Sequence, residues 1–265
     1  MRGNPYVELQ HWLQQILKKI RLHTKGLICI FNAVNPFPLP ATLTYQLPRT
    51  RNLSFGQPDI LTGNMISDYV KGKKKFEYPA AIQHGIELHR MIDQYTDTHE
   101  ATAEAKKVFR PHYRLYAGAF VDVVYDHFLA NDAEEFTEDS LYDLTDQIYD
   151  SLRSRISWFP EPFARMFQYM QEQNWLFNYR HRWGINKSMS GLVRRAAYLS
   201  EHETGFRLFE QHYQLLGDCY RHFWAGMKPF AFEQFTLLTG SDQKASGPAQ
   251  RNHFFDHHYR TMKSF

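Results

Sequence analysis

The chain has 265 residues, 43% of them hydrophobic and 22% charged, with a formal net charge of +3. That length suits one sizeable domain or a domain with an appendage, and the balance argues against both wholesale disorder and a membrane bundle. The two cysteines, Cys29 and Cys219, lie far apart with no Cys-x-x-Cys, which disfavours a disulfide framework and cysteine-ligated zinc and fits a reducing, cytoplasmic setting.

Ahead of Asn52 the one compact apolar run is Gly26 to Val34, well short of the roughly 18 residues that a membrane-spanning helix needs. The ordered charged, apolar and small-residue regions of a secretory signal are missing as well. Pro36, Pro38, Pro40 and Pro48 punctuate a stretch with no sustained period, which places a boundary before Asn52. The expected organisation is an irregular N-terminal extension over 1–51, a helical domain over 52–240, and a mobile tail over 241–265 rich in Ser, Gln, Gly and His.

From Pro58 onward the pattern is helical. Ile60, Leu61, Met65, Ile66, Tyr69 and Val70 recur at three and four, and Gly72 ends the run. Pro79 opens a second helix in which Ile82, Ile86, His89, Ile92, Asp93 and Thr96 share a face, so two polar groups interrupt an apolar stripe. A short helix over Ala101 to Phe109 is expected to stop before Pro111, and a longer one spans Tyr113 to Ala130. Thr137 caps a helix reaching about Trp158, and Pro162 starts another. Asn186 to Leu199, Thr204 to Met227 and a last segment near Phe230 complete the run. Strand alternation is nowhere sustained, so the fold class is all-α, with the 21 Phe and 16 Tyr expected mainly in the core.

Two pairs with helical i,i+4 spacing carry chemistry: His89 with Asp93, and Asp122 with Asp126. Asp97 extends the first row. A histidine nitrogen with carboxylate oxygens suits divalent ions such as manganese, magnesium or iron and can leave positions for water. Each residue alone has a plain structural alternative: a packed, hydrogen-bonded histidine, or a capping or solvated aspartate. Taken together, Asp68, His89, Asp93, Asp122, Asp126 and His127 all break apolar patterns, and buried carboxylates need a cation or donors to offset their desolvation. Arg90 is placed either to grip a phosphate oxygen or to pair with Glu87, Asp93 or Asp97. The basic run Lys71, Lys73, Lys74 and Lys75 follows Asp68 closely; it is either a solubilising loop or a docking point for an acidic macromolecule.

Three segments, Leu61-Thr-Gly-Asn-Met-Ile-Ser-Asp-Tyr-Val-Lys-Gly72, His89-Arg-Met-Ile-Asp-Gln-Tyr-Thr-Asp97 and Asp122-Val-Val-Tyr-Asp-His-Phe-Leu129, closely resemble the acyl carrier protein phosphodiesterase family in order and spacing. The likeness continues through Phe109-Arg110-Pro111 and, more loosely, Asn174-Trp-Leu176, Tyr179-Arg180, Gly191 and Phe223-Trp224. The resemblance implies a single helical domain related to the HD phosphohydrolases and a divalent metal, Mn2+ or Mg2+. It also implies hydrolysis of the phosphodiester joining 4′-phosphopantetheine to a serine of holo acyl carrier protein, a small acidic helical partner; neither nucleic acid nor membrane is implied. On that basis Asp68, His89, Asp93 and Asp122 are candidate metal ligands, Asp126 or His127 positions water or shuttles a proton, and Arg90 binds phosphate. Two other readings stand beside it: an HD-type nucleotide phosphohydrolase, and a non-enzymatic helical binding protein.

One departure from the family pattern has a specific form. Members typically carry Asn-Phe-Leu-Ala-His directly before the Leu-Ser-Phe stretch, whereas Gln46-Leu-Pro-Arg-Thr-Arg51 precedes Asn52-Leu-Ser-Phe55 in this chain. The codons CAA CTT CCT CGC ACA CGC could encode Gln46 to Arg51, and read one base later they would encode the family signature. A frameshift near Arg51 is therefore the hypothesis for residues 1–51, and coding DNA with no insertion or deletion there would dismiss it. Loss of that histidine would weaken a metal site if it is a ligand.

Overall fold

The computed structural model describes Ser54, Gly56 to Ala196 and Tyr198 to Ala245, and every regular element among these residues is helical. The expected extension over 1–51 and the tail beyond Ala245 lie outside the described residues.

Ten α-helices are described: α1 (Pro58–Ile66), α2 (Ala80–Thr98), α3 (Glu100–Tyr113), α4 (Ala117–Ala130), α5 (Glu138–Arg153), α6 (Glu161–Glu172), α7 (Trp175–Asn178), α8 (Arg182–Arg195), α9 (Glu203–Gln211) and α10 (Tyr213–Ala245). The first expected helix divides where it approaches the candidate site: α1 ends at Ile66, and 3-10 turns over Ser67–Tyr69 and Gly72–Glu77 carry the chain to α2. Gly72 adopts φ +57, a left-handed conformation that glycine reaches without a Cβ clash.

Pro111, expected to end a helix, does not, and the break expected between Met227 and Phe230 is absent. Pro111 lies in the last turn of α3 and Pro229 inside α10. Both side chains are exposed, and the carbonyls four residues back, of Lys107 and Ala225, belong to exposed residues that can turn to water. α10 also runs past Gly240, the expected end of the helical domain, to Ala245. Conversely, the run from Thr204 breaks at His212 into α9 and α10. Thr137 caps α5 as expected, in a reciprocal capping box with Ser140.

The core is aromatic. Phe109 stacks on Phe120 and Phe120 on Tyr113, joining α3 to α4, while Tyr125 stacks on Phe223 and Tyr95 on Phe230, joining α4 and α2 to α10. The most extensive helix pairing is α1 on α2, and its cause is two glycines. A Cβ on Gly63 would collide with the Ile82 carbonyl, and one on Gly85 with the Ile60 carbonyl and, at 2.9 Å, the Asn64 nitrogen. Backbone therefore meets backbone at this seam, and side chains one turn along either helix face each other across a short gap.

Candidate metal centre

The seam delivers Asn64 and Asp68 from the α1 side to His89 and Asp93 on α2. Asp68, on the 3-10 turn, is 6% exposed and His89 is 5% exposed, so both enter an apolar interior. The Ser67 hydroxyl donates to the Ile86 carbonyl at 3.3 Å, which fastens the turn bearing Asp68 onto α2. Asp93 lies one turn beyond His89 with its side chain 39% exposed, and so faces the solvent side of the cluster.

His89 Nδ1–H donates to Asn64 Oδ1 at 3.0 Å, which fixes the ring and leaves Nε2 for the carboxylates. Nε2 is 3.5 Å from Asp68 Oδ1 and 3.2 Å from Asp93 Oδ2. Neither contact has hydrogen-bond geometry, and Asp68 Oδ2 is buried without a hydrogen-bond partner. Burial opposes charge on His89, but the carboxylates of Asp93 and Asp68 outweigh it and raise its pKa to about 10.

One ligand atom from each of Asp68, His89 and Asp93 lies within 4.8 Å of the others, the grouping of this kind found among the described residues. A divalent ion with bonds of about 2.1 Å holds adjacent ligand atoms about 3 Å apart, close to the two separations around Nε2. The orphaned Asp68 oxygen, the carboxylates off the N–H axis and the mixed nitrogen and oxygen donors all fit such an ion.

Other residues singled out by sequence are placed differently. Asp122 on α4 is half-buried and does not join the group, and Asp126, one turn further, is fully buried. His127 donates from Nδ1 to the Tyr179 carbonyl at 2.8 Å and accepts at Nε2 from the Tyr213 hydroxyl at 3.1 Å. Burial holds its pKa down to about 4, so it braces α4 against the segments bearing Tyr179 and Tyr213 as a neutral ring. Arg90 donates to the Val70 carbonyl at 3.0 Å, with a longer contact of 3.8 Å to Glu87. Asp97 is exposed and pairs with Lys106 at 3.0 Å.

Asn64 is the site residue that spacing did not single out. Its signal was a polar side chain in an apolar first helix, one turn before Asp68. A hollow lined by Trp175, Asn178, Tyr179, Trp183 and Lys187 shares no residue with the Asp68, His89 and Asp93 cluster.

Comparisons with known proteins place this chain in a family. A curated acyl carrier protein phosphodiesterase of Photorhabdus laumondii is 31% identical over 154 residues, 58% of this chain and 78% of that protein. Those of Yersinia pestis (31% over 168 residues, 63% and 87%) and Klebsiella pneumoniae (30% over 174 residues, 64% and 89%) are similar to the same extent. No solved structure matches the chain. The family model described as acyl carrier protein phosphodiesterase matches residues 51–227, which span Asn64, Asp68, His89 and Asp93, and the chain belongs to that family.

Proposed function

We propose that this chain hydrolyses the phosphodiester between 4′-phosphopantetheine and a serine of holo acyl carrier protein, releasing apo carrier and free phosphopantetheine, with a divalent ion such as Mn2+ or Mg2+. The observation that carries the reading is the Asp68, His89 and Asp93 cluster, lying within the segment that matches the phosphodiesterase family. A divalent ion held there supplies Lewis acidity at a phosphoryl oxygen and lowers the pKa of water.

Within that reading the chain's own residues divide the work. Asp68 and His89 are the buried anchors, held by Ser67 and Asn64, while Asp93 stands at the solvent side where a substrate enters. Arg90, next to His89 and with its side chain 36% exposed, is the candidate to neutralise a phosphoryl oxygen. Asp122 and Asp126 are proposed as a further ligand and a proton carrier; their support is that both are withdrawn from water, half-buried and fully buried, on an otherwise apolar helix. Water adds to phosphorus, the bond to the serine oxygen breaks, and that oxygen leaves with a proton.

The test is incubation of purified protein with holo carrier and Mn2+, followed by carrier mass. Loss of one phosphopantetheinyl group is expected, together with its abolition by Asp93→Ala. Unchanged mass across several carriers rejects the reading.

A further inference from the structure

We propose that the lysine-rich 3-10 segment Gly72–Glu77, which carries Phe76, is the surface on which the acidic face of the carrier protein docks; this rests on the carrier reading above. Many basic side chains among the described residues are already satisfied by a carboxylate. Lys106 holds Asp97, Lys228 holds Glu135, Arg155 holds Asp59, Arg180 holds Glu138 and Arg153 holds Asp150.

Several exposed cations among the described residues lack such a partner, including Arg110, Arg114, Lys187, Arg194 and Arg207, and Lys71, Lys73 and Lys74 are the three gathered in one short stretch. All three are exposed within four consecutive positions, and none has a carboxylate partner among the described residues. Lys75 does have one, Glu87 at 2.7 Å, and this pair pins the segment to α2 while the Lys75 ammonium lies 5.3 Å from the Phe76 ring centre. Glu77 is the one acidic side chain on the segment itself. The unpaired ammoniums are thus held in place on a fastened segment, with their charge unused by the fold.

Apolar surface accompanies the charge. Phe76 is 65% exposed, and Tyr78 carries the segment onto Trp158, 40% exposed, at a ring separation of 6.3 Å. Exposed aromatics beside unpaired lysines fit a protein partner that offers carboxylates around an apolar patch, which is what the acidic carrier of the reading above presents.

Position supplies the remaining argument. The scissile phosphodiester sits on a serine side chain, so the carrier's own surface must come close to the centre that cleaves it. Lys71 is three residues from Asp68, at most about 11 Å of extended chain, and Arg90 ties the intervening Val70 to the residue after His89. A carrier held by Lys71, Lys73 and Lys74 is therefore held beside Asp68.

The experiment is titration of fluorescently labelled holo carrier with the full chain, read by anisotropy in chelator so that binding is separated from turnover. Wild type is compared with K73E/K74E and with Phe76→Ala, and thermal melting serves as the control for folding. Reversing two charges replaces two attractions by two repulsions, and the expected loss is about tenfold in affinity for K73E/K74E. Added salt should weaken the wild type more than the variant, and K73Q/K74Q should fall between them. Equal affinity of wild type and K73E/K74E overturns the proposal, as does absence of carrier binding by wild type. Lysine-dependent binding to phosphatidylglycerol vesicles that excludes the carrier also overturns it. Lysine-dependent carrier binding without release of phosphopantetheine retains the docking surface and refutes the reaction instead.

Discussion

Gly85→Ala tests whether the α1 and α2 seam sets the metal centre. The added methyl would lie inside the Ile60 carbonyl and 2.9 Å from the Asn64 nitrogen. Ordinary contact is about 3.5 Å, so the backbones must part by more than half an ångström even for the nitrogen. Overpacking of this kind costs about 1–3 kcal/mol, and the 2.1 Å approach to the Ile60 oxygen puts it toward the upper end; less about 1 kcal/mol for the better helix propensity of alanine, about 1–2 kcal/mol remains. A melting temperature lowered by about 2–8 °C follows for a domain of this size. The separation falls on the pair that orients the site, because the 3.0 Å bond from His89 to Asn64 spans the same seam. Weaker orientation predicts about 10–100-fold lower Mn2+ affinity by calorimetry. Gly240→Ala is the control: nothing lies within 4 Å of its new Cβ, so the same change in α10 should leave stability equal or higher and Mn2+ affinity unchanged. If Gly85→Ala melts and binds Mn2+ like wild type, the seam does not govern the site.

Asn64→Ala removes the acceptor for His89 Nδ1 without adding bulk, so Mn2+ affinity should again fall by about 10–100-fold; unchanged affinity would deny Asn64 its orienting role. Binding an ion at His89 requires the neutral ring, and with its pKa raised to about 10 the histidine carries a proton at neutral pH. Mn2+ binding at pH 7 should therefore release close to one proton and tighten as pH rises, measurable by calorimetry in buffers of different ionisation enthalpy; zero release would place the ion elsewhere. His127 gives the opposite sign. Its folded pKa of about 4 lies below the ordinary 6.5, so between these values the unfolded chain binds the extra proton and stability falls as pH drops. The shift corresponds to about 3 kcal/mol lost between pH 6.5 and 4, and urea unfolding of His127→Gln should lack this part of the slope. Parallel slopes for the two proteins would show that His127 accepts its proton in the folded state.

Helical periodicity exposed much of the architecture because the apolar stripes of α2 and α5 are regular and their starts carry Pro79 and Thr137. It failed where neighbours decide the outcome. Pro111 read as a helix end, yet the bond it forfeits, like that of Pro229 inside α10, is on a solvent-facing side. The role of Gly63 and Gly85 was not legible, since only the facing helix reveals that there is no room for a Cβ. In the site, His89 and Asp93 were legible from their spacing on one helix, and Asp68 from a carboxylate in an apolar run. Asp122 has the same signature but is not among the three residues grouped within 4.8 Å, and spacing within a helix fixes a face but not what that face meets. His127 carries a histidine's chemistry in sequence, whereas Tyr179 and Tyr213, distant along the chain, occupy both of its nitrogens.

The glycine seam also bears on how this protein can change over generations. Because main chain abuts main chain at Gly63 and Gly85, the span from Asn64 to His89 owes nothing to the volume of an intervening side chain. Swaps among the surrounding Ile, Leu and Met residues can be absorbed by movements elsewhere while that span is conserved. Drift in the core is thereby uncoupled from the spacing of the candidate metal ligands, and the two glycines are where that freedom ends.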